Sequence, residues 1–110
     1  MLDLSQVEAR LGVDRSRIVA FCQKWRLAEF ALFGSVLRAD FRPDSDIDVL
    51  IRVAPNAPAG LHPFLAMQEE LVALFGRPVD LVEREAVENS VNPIRKRSIL
   101  SSTLQVYAAA

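Results

Sequence analysis

Leu4, Val7, Glu8 and Leu11 recur at helical spacing, and Gly12 follows where a helix stop belongs. Asp14 is placed to cap a second helix, in which Ile18, Val19, Phe21, Cys22 and Trp25 return roughly once per turn. The rhythm then changes. Leu27 to Phe33, LAEFALF, is apolar and aromatic enough for a strand, and Gly34 ends it. SVLRADFRPDSD is polar, with room for one helical turn and a loop around Pro43 and Asp44. IDVLIRV, residues 47 to 53, reads as a second strand, and APNAPAG, residues 54 to 60, as a surface connection.

Pro63 suits the first turn of a helix running to about Phe75, with Phe64, Met67, Leu71, Leu74 and Phe75 on one face. Gly76 stops it, and PVDLV, residues 78 to 82, makes a third short strand. Asn92 and Pro93 form a cap and first-turn pair for a last helix through about Ile99. Leu104, Val106 and Tyr107 either add a strand or pack down, and the three terminal alanines should fray. The order α-α-β-turn-β-α-β-α predicts a small α/β or α+β domain around a sheet of three or four strands. Residues 1–25 form a helical lead and 26–110 the remainder of one compact unit.

Composition narrows the classes. A chain of 110 residues, 51% hydrophobic and 25% charged, has the make-up of one globular domain with a thin stability margin. Its net charge of -1 supplies no overall field to draw in nucleic acid, so direct DNA binding is not expected. The single cysteine, Cys22, excludes an internal disulfide and a Cys-cluster zinc site, and reads as core. No apolar run reaches signal-peptide or membrane-span length, which points to the cytoplasm.

The candidate chemistry begins at Asp46 and Asp48, separated by one residue at the start of a strong strand. Side chains alternate along a strand, so both carboxylates should face one way while Ile47 and Val49 bury on the other. Two carboxylates about 5–7 Å apart repel by roughly 2–4 kcal/mol at an effective dielectric of 20. A cation relieves that cost, and hard oxygen ligands select Mg2+ or Mn2+. Asp80 interrupts an otherwise apolar strand, and on a neighbouring strand it would bring a third carboxylate to a two-metal site. Gly34-Ser35 supplies a close backbone approach and free N–H groups for a phosphate, with the Ser35 hydroxyl adding a bond and Arg38 a planar fork.

Blander readings stand beside these. Asp80 is also an edge-strand acid of the kind that opposes aggregation, and Arg38 with Asp40 an ordinary solvated pair. His62, before Pro63, reads as a cap or surface residue. The run Arg95, Lys96, Arg97 reads as a solvated helix face.

GS at 34–35, ten intervening residues and DID at 46–48 resemble the signature of the DNA polymerase β-like nucleotidyltransferase superfamily. The fuller run LFGSVLRADFRPDSDIDVLI is similar to its minimal members, the MNT-domain antitoxins paired with HEPN-domain toxins. The likeness extends over about Phe30 to Val82, with NPIRKRSIL also typical of the group. It implies an α+β fold with a mixed, palm-like sheet, two Mg2+ ions and ATP as nucleotide donor. It also implies transfer of AMP to a tyrosine of a partner HEPN-domain toxin, with the two proteins in a hetero-oligomer. Carried onto this chain, Gly34 and Ser35 bind nucleotide phosphates, Asp46 and Asp48 bind metal, and Asp80 binds metal and helps activate the acceptor.

Two alternatives remain on sequence: an antitoxin that acts by binding alone, and a nucleotidyltransferase for a small acceptor such as an aminoglycoside. Fewer than thirty residues follow Val82, too little for a separate acceptor-gripping domain, which favours a macromolecular acceptor.

Overall fold

Asp3 opens the first helix by a reciprocal cap. Its carboxylate accepts from the Gln6 backbone N–H while the Gln6 side chain accepts from the Asp3 N–H, both at 2.9 Å. The helix so started, α1 (Leu4–Leu11), ends at Gly12, whose φ of 73° is the left-handed conformation that stops helices. Asp14 caps α2 (Arg15–Trp25), and the chain enters β1 (Leu27–Phe33). A computed structural model of the protein describes residues 3–58 and 60–109. Ala59 of the expected surface connection and Ala110 of the terminal alanines therefore lie outside the described residues.

After β1 come a 3-10 turn (Gly34–Leu37), β2 (Ile47–Val53), α3 (Leu61–Phe75) and β3 (Val79–Glu83), followed by α4 (Arg84–Glu88), α5 (Pro93–Leu100) and β4 (Thr103–Ala108). The sheet order is β3-β2-β1-β4. β1 runs antiparallel to both β2 and β4, and β2 parallel to β3, so the sheet is mixed and α3 makes the crossover between the parallel pair. The fold is thus α+β with four strands.

Alternation along β1 and β2 assigns the two faces. Phe30 pairs with Ile51 and Leu32 with Val49; these four are buried in the larger core with Val7, Ile18 and Leu71 from α1, α2 and α3. Ala31 pairs with Leu50 on the opposite face, in a smaller core closed by Val87 of α4 and Ile99 of α5. Asn92 anchors that second cover by accepting from the Ile94 and Arg95 backbone N–H groups, with Pro93 in the first turn. Leu104, Val106 and Tyr107 fall in β4, resolving the open choice in favour of a strand.

The third helix starts at Leu61 with Gly60 at its cap and ends at Phe75, so Pro63 stands in its first turn as expected. One element departs from the sequence expectation. α4 was not anticipated, because five residues with one buried apolar position, Val87, carry no readable period. Cys22 is fully buried, and burial pushes its thiol up to about 12, which leaves it an inert core residue. Among the described residues no helix is long and apolar enough to cross a membrane.

Candidate active site

Continuing the β1–β2 register by one step puts Phe33 opposite Asp48. Asp48 therefore occupies, at the end of the smaller core, a place that the pattern on that face would give to an apolar side chain. Ile47 and Val49 turn to the other face and are completely buried, which fixes the direction of the carboxylate between them. The next residue along β1 is Gly34, with φ of 76°. A Cβ at this position would overlap Asp48 Oδ2 and lie 3.0 Å from its Cγ. Glycine is needed here twice over, for the left-handed backbone and for the space the carboxylate fills.

On its other side Asp48 meets Asp80, its partner in the parallel β2–β3 register. Laterally paired residues of neighbouring strands share a face, so the two carboxylates point the same way. Asp46 is exposed and lies just ahead of β2 rather than within it. Its charge nonetheless reaches Asp48. Burial raises the Asp48 carboxyl above the ordinary carboxylate value, and the negative charges of Asp80 and then Asp46 raise it further. Arg38 and the Ser35 backbone N–H act in the opposite direction without cancelling the rise. Arg38 also pairs with Asp40 at 3.1 Å on the exposed side of the turn, so the solvated-pair reading and proximity to the carboxylate both hold for it.

A cavity of about 580 Å³ opens at this end of the sheet. Gly34, Arg38 and Asp48 form one wall, and Ser98, Ser101 and Ser102, from α5 and the turn after it, form another. Ser35, Asp46 and Asp80 are not part of its lining. The three serines escaped the sequence reading because they follow a charged run and show no motif spacing; helical position relative to Ile99 was the only available signal.

The donor chemistry suits a hard divalent cation. An excess of negative charge sits around one half-buried carboxylate, with only oxygen donors at hand. Among the described residues no three acidic, His or Cys side chains converge closely enough to form a metal cage by themselves. Mg2+ is commonly held by one or two carboxylates together with substrate phosphates, so a ready-made cage is not what this chemistry requires.

Two outcomes are expected from this geometry. Because the folded pKa of Asp48 is raised, the folded state binds more protons than the unfolded state in the window between the two values. Stability should then fall as pH rises from the ordinary carboxylate value through the raised one. Thermal melts of Asp48→Asn should show that decline reduced, with a higher Tm than the wild type at neutral pH in the absence of metal. Gly34→Ala should destabilise by about 1–2 kcal/mol through backbone conformation alone, and by more through collision with Asp48. Denaturant titration of Gly34→Ala with Asp48→Ala should recover the collision part only.

The chain matches the family described as "Nucleotidyltransferase domain" over residues 17–106. Protein adenylyltransferase MntA of Thermococcus cleftensis is 30% identical to it over 91 residues, which span 83% of this chain and 87% of that protein. A crystal structure of a toxin–antitoxin with AMP-PNP is similar with a TM-score of 0.68 at 17% identity, over 88% of this chain and 75% of the other. A structure of the tri-AMPylated Shewanella oneidensis HEPN toxin in complex with MNT antitoxin is similar with a TM-score of 0.61 at 17% identity, over 90% and 73% of the two chains. At those identities the two structures bear on the fold.

Proposed function

This chain belongs to the nucleotidyltransferase domain family, and from that premise we propose that it transfers AMP from ATP to a tyrosine of a HEPN-domain toxin, in the cytoplasm, and so neutralises it. The observation that carries the reading is the position of Asp48, between the Gly34-Ser35 turn and Asp80 at the open end of the sheet. A phosphate chain lying over the turn would be within reach of a carboxylate-bound cation. The relative from Thermococcus cleftensis is named as a protein adenylyltransferase, and one structural neighbour is a complex with an AMPylated HEPN toxin; both support the choice of acceptor.

In this reading the Gly34 backbone N–H and the Ser35 hydroxyl donate to the phosphates, the Ser35 N–H being engaged by Asp48, and Arg38 adds a positive charge on the cavity wall. Asp46, Asp48 and Asp80 would hold two Mg2+ ions. When bound, these supply neutralisation of the triphosphate and a lowered pKa for the attacking hydroxyl. The tyrosine oxygen attacks the α-phosphorus of ATP, the bond from that phosphorus to the bridging β-phosphate oxygen breaks, and pyrophosphate leaves. A phenol has a pKa of about 10, so its proton must be taken as the bond forms. In this proposal Asp80 takes that proton and passes it to water, a role supported by its exposure on the edge strand. The added AMP brings negative charge and bulk to the toxin, which opposes the approach of RNA phosphates.

Co-expression with the toxin partner, followed by intact-mass measurement, should show additions of about 329 Da each on the toxin. Asp46→Asn combined with Asp48→Asn should abolish them while the protein stays folded. A fully neutralised yet unmodified toxin in the presence of that double variant would favour antitoxin action by binding alone.

ATP and Mg2+ together should raise the melting temperature more than either alone, because the phosphates complete the coordination of the ion. At ligand concentrations about a hundredfold above Kd the gain corresponds to roughly 2.7 kcal/mol. EDTA should remove it, and an equal shift from ATP without metal would contradict the role given to the three carboxylates.

A further inference from the structure

The loop that joins the Gly34-Ser35 turn to Asp46 and Asp48 is tied down at both ends by arginines from outside it. Arg10, on α1, donates through one guanidinium nitrogen to the carbonyl oxygens of Val36, at 3.1 Å, and Arg38. Arg77, just ahead of β3, donates to the carbonyl oxygens of Arg42, at 3.2 Å, and Ser45, at 3.1 Å. Both guanidinium groups also lie over the ring of Phe41 in the middle of the loop, 5.5 Å and 4.7 Å from its centroid. Phe41 itself packs against the larger core. Shorter bonds reinforce the second half: Ser45 Oγ accepts from the Arg42 N–H at 2.9 Å, and the Ser45 N–H donates to the Arg42 carbonyl at 3.0 Å.

From this we infer that Arg10, Phe41 and Arg77 form a clamp that sets the spacing between the phosphate-binding turn and the metal-binding carboxylates. The first helix thereby becomes a working part of the nucleotide site. The inference rests on the functional reading above only for its kinetic consequence; the clamp itself is a matter of contacts. Arg10 and Arg77 are positioning residues and touch no reacting atom.

The physical logic is one of chain length. Between Ser35 and Asp46 lie ten residues with no helix or strand beyond the 3-10 turn, enough freedom to smear the turn against the strand by several ångströms. A donor nitrogen shared between two carbonyls fixes more of that freedom than a bond to one, and the planar group also lies over the Phe41 ring. The aromatic ring gives the two like charges a common favourable partner. Because Arg10 holds the turn and Arg77 holds the residue before Asp46, their losses should differ. Arg10→Ala acts first on phosphate placement, and Arg77→Ala on the carboxylates.

The test joins hydrogen exchange with kinetics on the full chain. In wild type the Arg38 amide is bonded to the Ser35 carbonyl at 2.9 Å and should exchange slowly. Arg10→Ala should speed its exchange while amides of β1 and β2 stay protected, and Arg77→Ala should do the same at Ser45. With toxin and ATP, Arg10→Ala should raise KM for ATP by about tenfold with a smaller change in kcat, and Arg77→Ala should chiefly lower kcat and raise the Mg2+ concentration required. Arg10→Lys, which keeps the charge but loses the planar group over Phe41, should restore only part of the loss. If Arg10→Ala does not fold, Phe41→Leu replaces it, since it keeps apolar volume and removes the ring. Unchanged loop exchange in these variants overturns the clamp. If wild type transfers no AMP, the functional reading fails instead, and the exchange data still decide for or against the clamp.

Discussion

The site depends on one close packing: the Asp48 carboxylate against a glycine that has no Cβ. Everything on either side is arranged to permit it. Ile47 and Val49 are fully buried on the opposite face, so β2 cannot slip by a residue without taking them out of the larger core and turning Asp48 into it. The antiparallel register then brings the end of β1 alongside, and the left-handed backbone at Gly34 turns the chain away just where the carboxylate needs room. The parallel register adds Asp80 from the other side. A half-buried acid next to other acids is unfavourable in the isolated protein, and the two cores that grip the sheet offset that cost.

Much of this was legible in the residues themselves. The strands show because β1 and β2 are short apolar runs bordered by glycine or polar loops, and Gly12, Asp14, Gly76, Asn92 and Pro93 mark helix ends by local chemistry. The candidate site was legible to the extent that its parts are close in sequence: Gly34, Ser35, Asp46 and Asp48 fall within one strand–turn–strand unit. Asp80 was readable only as a break in an apolar run; its alignment with Asp48 depends on a parallel pairing that a crossover helix creates. Ser98, Ser101 and Ser102 carried no such mark. They reach the cavity because Ile99 and Val87 dock α5 and α4 onto the second face of the sheet, and docking is a tertiary outcome.

The helical lead illustrates the same limit from the other end of the chain. Its pattern announces a helix but gives no reason for one. Arg10 looks like a solvated charge in the last turn of α1, where a cation complements the helix dipole. Only the fold shows that this turn packs beside the residues after Gly34, so that a guanidinium finds two carbonyls and an aromatic ring. The polar loop between Gly34 and Asp46 likewise reads as free chain, although Phe41 within it is partly buried against the core. A long-range hydrogen bond from a side chain to a backbone oxygen leaves no period and no motif.

In the proposed reaction the placement of Asp80 bears on what the acceptor can be. β3 is an edge strand, and Asp80 is exposed on it, while Asp48 is half-buried beside the cavity. The deep part of the site thus suits a nucleotide, and the shallow part offers little enclosure to anything else. A small acceptor would gain few contacts on an open edge and would have to bear its full loss of freedom there. A protein acceptor meets that cost with contacts spread over its own surface, away from the reacting hydroxyl, and needs from this domain only an accessible carboxylate at the right distance. The same openness that would make the domain a poor enzyme for a small molecule makes it a fitting one for a bulky partner.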